Sequence, residues 1–475
     1  MKGKEKESGP ISLHRSVLLL IIIAASILIF SQVLKASLGV ALGLTWLIVY
    51  FWCLVTNYDW DKVQTGAFDA VRSGMAAILI LLAVGMLIGT WIQCGAIPTI
   101  ITYGLELVSP SVFLPATVLL CSLLSLATGT SYGSAASGGL AMMAVGLSMG
   151  FPPGMVAGAV LCGSLFGDKM SPFSDTTNLA PAMAGTDIFT HVRMMMWNTI
   201  PAWILTMILF YFIGIQYTSS ASFNPADLQT CIDGLAANFY IGGVTLLPIA
   251  IVIILLLFRQ AAVPVIMIGA VTGGIMAVIL QGVSIADVLK AMNSGFSIKS
   301  GIFLVDKLLN RGGMASMAGI VWIMIFGMGL GGMMEAMGVL QNFLNLMVKK
   351  ISSAFSLTAA TYLICYFCGA IFGTQNMTLV AAGKLLAPFY REKGYAPEYL
   401  SKNLEDAGTL GGVFFPWHTN SAYFCGVLAV SYIEYIPFVF LCFLAPIFSL
   451  IYAAINFKVP RIDPETGEYV TVKGK

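Results

Sequence analysis

Charge is what this 475-residue chain has least of. Asp, Glu, Lys and Arg together make up 10% of it, against about 25% in soluble domains. So few charges cannot cover the surface of a water-soluble protein of this size. Long polar segments are scarce too: beyond short tails there are only the linkers 218–238 and 281–313. No H-E-x-x-H, no G-x-S-x-G and no second metal cluster occur, which argues against an enzyme, and none is expected. The missing G-x-x-x-x-G-K-[ST] loop argues against nucleotide-driven pumping. A net charge of +2 singles out no partner. No nucleic acid and no cofactor are expected. Of nine cysteines, Cys365 and Cys368 form a C-x-x-C inside an apolar block. With no second pair, they read as helix packing.

What is there is apolar, 58% of the residues. Residues 17–34, 38–55, 75–91, 197–217, 240–258 and 261–280 are hydrophobic blocks, each near the ~20 residues of a spanning helix. A backbone inside lipid must satisfy its own hydrogen bonds, so such blocks are helices. A barrel would alternate apolar and polar residues, and these blocks do not. The first block follows Lys2, Lys4 and Lys6 like a signal peptide, but a second block follows at once, so it reads as a retained helix. The fold class is an all-α polytopic membrane protein surrounded by lipid.

The chain repeats itself. Gly129-Thr130 recurs as Gly373-Thr374, and Gly150-Phe-Pro-Pro153 as Gly394-Tyr-Ala-Pro397, both displaced by 244 residues. Thr177-Asn178 recurs as Thr419-Asn420, and Gly85-Met86 with Gly89 as Gly327-Met328 with Gly331, both displaced by 242. Gly/Pro-broken hydrophobic segments at equivalent places in two halves are the mark of a secondary transporter's site. Basic residues stay cytoplasmic. Linkers 96–110 and 149–153 have none, whereas their equivalents carry Lys349, Lys350, Arg391 and Lys393. The repeats are therefore expected to be inverted, with both termini cytoplasmic. One linker, 281–313, fits poorly, because it should be external yet carries Lys290, Lys299, Lys307 and Arg311.

The expected map is an N-terminal tail (1–15), repeat one (16–217), a linker (218–238), repeat two (239–455) and a C-terminal tail (456–475). Each repeat has five crossings. Two leading helices and a third precede a re-entrant hairpin, then come a broken helix (153–191 or 397–432) and a closing helix.

The chemistry concentrates at the breaks. Residues 167–178 read Gly-Asp-Lys-Met-Ser-Pro-Phe-Ser-Asp-Thr-Thr-Asn. Asp168, Ser174, Asp175, Thr176, Thr177 and Asn178 offer the oxygen ligands a hard cation such as Na+ takes. Two deep aspartates cost roughly 5–7 kcal/mol if unpaired, unless Lys169 offsets part of that. The alternative is a polar loop outside the membrane. The equivalent stretch adds Asp406, Thr409, Thr419 and Asn420, with Glu405 and His418 as further candidates. His418 titrates near neutral pH or serves as a hydrogen-bonded structural group. Hairpin tips Gly129, Thr130, Ser131 and Gly373, Thr374, Gln375 either aim helix ends at the membrane centre or simply pack. Glu335 ends an apolar helix, at the interface or at the site. His14 and His191 read as interfacial, Glu106 and Glu434 as solvated helix ends.

These stretches carry a resemblance. Residues 167–181, Ala184-Gly-Thr-Asp187 and Asn403-Leu-Glu-Asp-Ala-Gly-Thr409 resemble the NhaC family of Na+/H+ antiporters over roughly residues 15–455. The resemblance implies a bacterial or archaeal cytoplasmic membrane, inverted repeats with hairpins and broken helices, and often a dimer. It also implies exchange of Na+ for H+ by alternating access. Members similar to malate/lactate exchangers share these motifs, so a small organic acid is the alternative cargo. The chain departs from the family at Pro416-Trp-His-Thr419, where Asn is common in place of His418. The expected mechanism has Asp168 and Asp175 binding Na+ when ionised and releasing it when protonated. Neighbouring carboxylates in a dry interior make proton and sodium compete.

Overall fold

The structure is a computed structural model that describes residues 7–107, 109–220, 225–339, 341–342 and 353–470. Lys349 and Lys350 lie outside it, as do the side chains of Glu106 and Lys307. Among the described residues, eight helices are long and apolar enough to cross a membrane, or ten if each of two sharply bent pairs is one span. The protein is an all-α polytopic membrane protein.

From Pro110 onward the two halves share one backbone plan at a constant displacement of 244. Helix Pro110–Thr128 matches Ala354–Phe372, and Pro153–Met170 matches Pro397–Phe414. Asp175–Ala184 matches Thr419–Leu428, and the starts at Ile188 and Tyr432 correspond. Left-handed turns fall at matching positions, Gly129 (φ 70°) with Gly373 (φ 63°) and Gly185 (φ 84°) with Ala429 (φ 53°). The register corrects one detail of the sequence comparison. Thr177-Asn178 and Thr419-Asn420 are not equivalent positions; Asp175 corresponds to Thr419 and Ser174 to His418.

The halves interlock. Trp46, in the second leading helix Leu38–Thr56, donates its indole N–H to Phe326 O (2.9 Å) in the other half's third helix. Trp91, at the end of Met75–Gln93, donates likewise to Gly269 O (3.1 Å) in Ala262–Gln281. Large buried donors of this kind pin helices together.

Several segments read as connections are helical. Linker 96–110 holds helix Ala96–Leu107, linker 218–238 holds Pro225–Asn238, and linker 281–313 holds Ile285–Ser294 and Phe303–Leu309. Amphipathic helices Trp60–Ser73 and Ile285–Ser294 follow the second leading helix of each half, capped by Asp59 and Ser284. Their charged faces hide them from a search for apolar blocks. The C-terminal tail carries a two-stranded hairpin pairing Arg461–Ile462 with Tyr469–Val470. It docks through Ala396 N–H to Pro460 O and Tyr469 Oη to Glu398.

Ends of helices behave as their chemistry dictates. Asp187 Oδ1 accepts from Phe189 N and Thr190 N (both 3.0 Å) at the start of Ile188–Ser220. The Thr190 hydroxyl and then its amide hold this carboxyl below the usual range, so the cap is charged at neutral pH. Glu434 closes a capping box with Ser431, consistent with a solvated end. His14 is exposed, but His191 is not interfacial: it is fully buried, with Nδ1 2.7 Å from Ser401 Oγ.

Candidate ion-binding site

Helix Pro153–Met170 stops because Pro172 disfavours helical geometry in the residue before it. Ser171 is accordingly extended (φ −80°, ψ 125°), and a new helix begins only at Asp175. Pro416 does the same in the second half: Phe415 is extended, and Thr419–Leu428 starts after four residues. The freed carbonyls of Asp168 and Lys169 both accept from Thr177 Oγ1 (3.0 Å each). A broken helix with such local repair is tolerated in a membrane only where protein or a cavity surrounds it.

Each hairpin tip touches its own break. At Gly129 the left-handed backbone lies against Phe173, and a Cβ there would sit 2.8 Å from Phe173 backbone atoms. Thr130 then caps the next helix, its Oγ1 accepting from Gly133 N (3.3 Å), and Ser131 Oγ donates to Asp168 Oδ2 (2.6 Å). In the second half Gly373 O accepts from Thr419 N (2.8 Å), and Gln375 Nε2 donates to Thr409 O (3.1 Å). Gly129→Ala is expected to lower the melting temperature and the transport rate. The left-handed backbone alone costs about 1–2 kcal/mol for an L-residue, and the clash with Phe173 adds to it. A thermal-shift measurement in detergent checks this; an unchanged midpoint contradicts the tight fit.

Between the two tips and the first break lies a cavity of about 510 Å³. Asp168, Ser174, Asp175 and Thr176 line it from the break, and Gly129, Thr130 and Ser131 from the first tip. Thr374, Gln375 and Thr419 come from the other half. Arg259 closes one wall with its guanidinium 3.6 Å from the centre of the Phe173 ring. Asp168 is buried, while Asp175, at the positive end of its helix, is exposed to the cavity.

The remaining candidates stand off the cavity. Asn178 is exposed and spends its amide on Pro172 O and Ser174 O (3.0 and 2.8 Å). Asn420 is buried, and its Oδ1 accepts from Tyr132 Oη (2.8 Å). Tyr132 also stacks on Tyr423 (centroids 4.0 Å apart), tying the first tip to the second half. Glu335 is exposed on its helix. His418 is buried and caps Asn420 N through Nδ1 (3.1 Å). Its ring lies against Gly412, the position equivalent to Asp168, where a Cβ would collide with the imidazole. The duplicated frame therefore holds a carboxylate in one half and an imidazole over a bare glycine in the other.

Asp406 anchors a separate, fully buried network. Its Oδ1 accepts from Lys169 Nζ (2.8 Å) and Asn198 Nδ2 (2.8 Å). Its Oδ2 accepts from Ser449 Oγ (2.6 Å) and Tyr362 Oη (2.9 Å), with Lys402 Nζ 3.6 Å away. Lys169 thus neutralises Asp406 rather than Asp168. Sequence reasoning missed Lys402, although its i, i+4 spacing to Asp406 was a readable signal. It missed Asn198 and Ser449 because each is a single polar residue in an apolar helix. The helix widens over Glu405–Thr409, a distortion frequent at functional sites. Both carboxylate oxygens of Glu405 and Thr409 Oγ1 are buried there without hydrogen-bond partners.

The family model described as the Na+/H+ antiporter family matches residues 163–457, which span both breaks. The chain belongs to that family. Its relatives include the Malate-2H(+)/Na(+)-lactate antiporter of Bacillus subtilis, 38% identical over 93% of this chain and 94% of that one. The Na(+)/H(+) antiporter NhaC of Alkalihalophilus pseudofirmus is 35% identical over 94% and 96%. The Na(+)/H(+) antiporter NhaC of Bacillus subtilis is 31% identical over 95% and 99%. Family membership makes this antiporter-family chain a transporter by kind and a multi-pass membrane protein. The resemblance in the broken segments extends to nearly the whole length of these relatives.

Proposed function

We propose that this antiporter exchanges Na+ for H+ across a bacterial or archaeal cytoplasmic membrane by alternating access. The observation that carries the reading is a charge imbalance. Among the described residues, and leaving aside Glu398, which meets the C-terminal hairpin, and Arg311, which lies apart in the linker 281–313, the buried charged residues are three acids, Asp168, Glu405 and Asp406, and two lysines, Lys169 and Lys402. One negative charge is left over. An uncompensated charge in a dry interior is expensive, so the set takes up one cation, either Na+ or H+.

Na+ binds at Asp168, with Asp175 and the hydroxyls of Ser174, Thr176, Thr130 and Thr419 around it. Thr177, Asn178 and Asn420 hold the frame, and Asp406 balances the lysines. Glu405, unpartnered and buried, carries the proton. The repeats are inverted about this site, and the cavity opens to the cytoplasm. Support for that sidedness comes from Arg259 in the cavity wall and Arg72 beside Gly74, since basic residues stay inside. Both termini are then cytoplasmic, and no cofactor takes part.

The test is a proteoliposome assay with an imposed Na+ gradient and an internal pH dye. Na+-driven proton movement supports the reading; its absence, with the protein folded, removes it. Glu405→Gln removes the excess negative charge and is expected to weaken Na+ binding and flatten its pH dependence. Wild-type affinity should rise with pH as protons leave, whereas the variant's should change little; 22Na+ binding between pH 6 and 9 reads the difference.

One observation favours a second reading, organic-acid antiport coupled to Na+ or H+. The cavity is larger than a lone ion needs, and Arg259 places a guanidinium in its wall, suited to a carboxylate. The malate/lactate relative fits that reading. Labelled malate and lactate uptake into the same liposomes separates the two.

A further inference from the structure

A second cavity, of about 540 Å³, lies at the other end of the helices that line the ion site. In Thr419–Leu428, Thr419 faces the first cavity, while Cys425 and Gly426 face the second. In Met75–Gln93, Ile80 faces the first and Ile88 the second. Six to eight helical residues separate the two, roughly 10 Å. The second cavity therefore stands across the barrier from the first.

Its distinguishing feature is Arg311. Arg311 lines the cavity, and its Nη2 is shut off from solvent with no hydrogen-bond partner. Among the described residues no carboxylate forms an ion pair with it. The acids of the same linker are engaged elsewhere: Asp306 accepts from Ser300 N and Oγ (2.8 and 2.7 Å), and Asp287 Oδ2 accepts from Ser284 Oγ (2.7 Å). Burial pulls the Arg311 pKa down to about 10, which leaves it charged at neutral pH. Asn310 and Ser297 line the same wall. Asn310 Oδ1 accepts from Ile298 N (2.6 Å).

The backbone fixes this placement. Phe296 N donates to Arg311 O (3.1 Å), and Gly313 N donates to Gly85 O (2.7 Å) in the middle of Met75–Gln93. Arg311 is thereby held against a spanning helix rather than left on a mobile loop. It also accounts for a basic residue in the linker that fits the charge rule poorly.

We infer that the Arg311 cavity is a binding site for a small carboxylate anion, on the side of the barrier opposite the sodium site. A planar guanidinium pairs with a carboxylate through two parallel N–H···O bonds, which a spherical halide cannot match. The inference does not rest on sodium/proton exchange, because it needs no ion at Asp168.

The experiment is dicarbonyl labelling of the full-length wild-type protein, with modification of Arg311 and Arg259 followed separately by mass spectrometry. Acetate or succinate is expected to slow Arg311 labelling at least fivefold while equal chloride does not. Arg311→Gln should lose any acetate- or succinate-induced rise in melting temperature, and Arg311→Lys should keep part of it. Unchanged Arg311 labelling with carboxylate overturns the site. So does an Arg311 that never labels, or equal protection by chloride. The labelling uses wild-type protein, so it decides the matter even where Arg311→Gln does not fold.

Discussion

Replacing Asp168 with Asn is expected to cut Na+-driven proton flux by about 100-fold or more while leaving the melting temperature near that of the wild type. The change removes the buried negative charge nearest the cavity and keeps the side chain's shape. A charge-assisted contact to a cation is worth about 1.5–3 kcal/mol, and each 1.4 kcal/mol is tenfold in affinity. Ser131, which donates to Asp168 Oδ2 at 2.6 Å, can still donate to the carboxamide oxygen, so the first hairpin tip stays in place. The buried set then holds two acids and two lysines and has no need of a cation. Flux in proteoliposomes, with a thermal shift on the same preparation, reads both parts. Flux near the wild-type rate would remove Asp168 from the site.

Asp406→Ala is expected to do the reverse and fail first in stability. Its carboxylate takes four hydrogen bonds and faces two lysine ammoniums. Removing it leaves Lys169 and Lys402 buried without an anion, and breaking such a pair from one side costs about 3–5 kcal/mol. Lys169→Met should cost less, since Lys402 still faces Asp406. Lys402→Met should cost least, because its contact is the longer one at 3.6 Å. Unfolding midpoints in one detergent give the order. An Asp406→Ala protein as stable as wild type but with altered Na+ affinity would move Asp406 from the frame into the ion site.

These two aspartates show what the sequence made legible. Apolar blocks, the Gly/Pro breaks and the 244-residue displacement were all visible, because lipid forces apolar helices and because Pro172 and Pro416 act on the residue before them whatever surrounds them. That acids clustered at both breaks was visible too. Which acid faces a cavity and which faces a lysine was not. Asp168 and Lys169 are neighbours in sequence, yet on a helix successive side chains point about 100° apart. One meets Ser131 and the cavity; the other reaches Asp406 in the opposite half. Pairings across more than two hundred residues leave no local pattern.

The shift between Thr177-Asn178 and Thr419-Asn420 teaches a related lesson. Similar letters near similar breaks suggested equivalent ligands, but the backbone sets Asp175 opposite Thr419 and Asp168 opposite Gly412. The two halves share the hairpin tips and the breaks but place different residues there. His418 occupies the space that Gly412 leaves. Short amphipathic helices escaped notice for another reason: Trp60–Ser73 and Ile285–Ser294 carry charges that break up the apolar signal.

The most direct test of the account measures whether sodium displaces protons. Isothermal titration of Na+ into the purified protein, repeated in buffers with different heats of ionisation, gives the protons released per Na+ bound. Competition for one excess negative charge predicts net proton release near neutral pH, and no Na+ heat at all in Asp168→Asn. Sodium binding that releases no proton at any pH between 6 and 9 would contradict it.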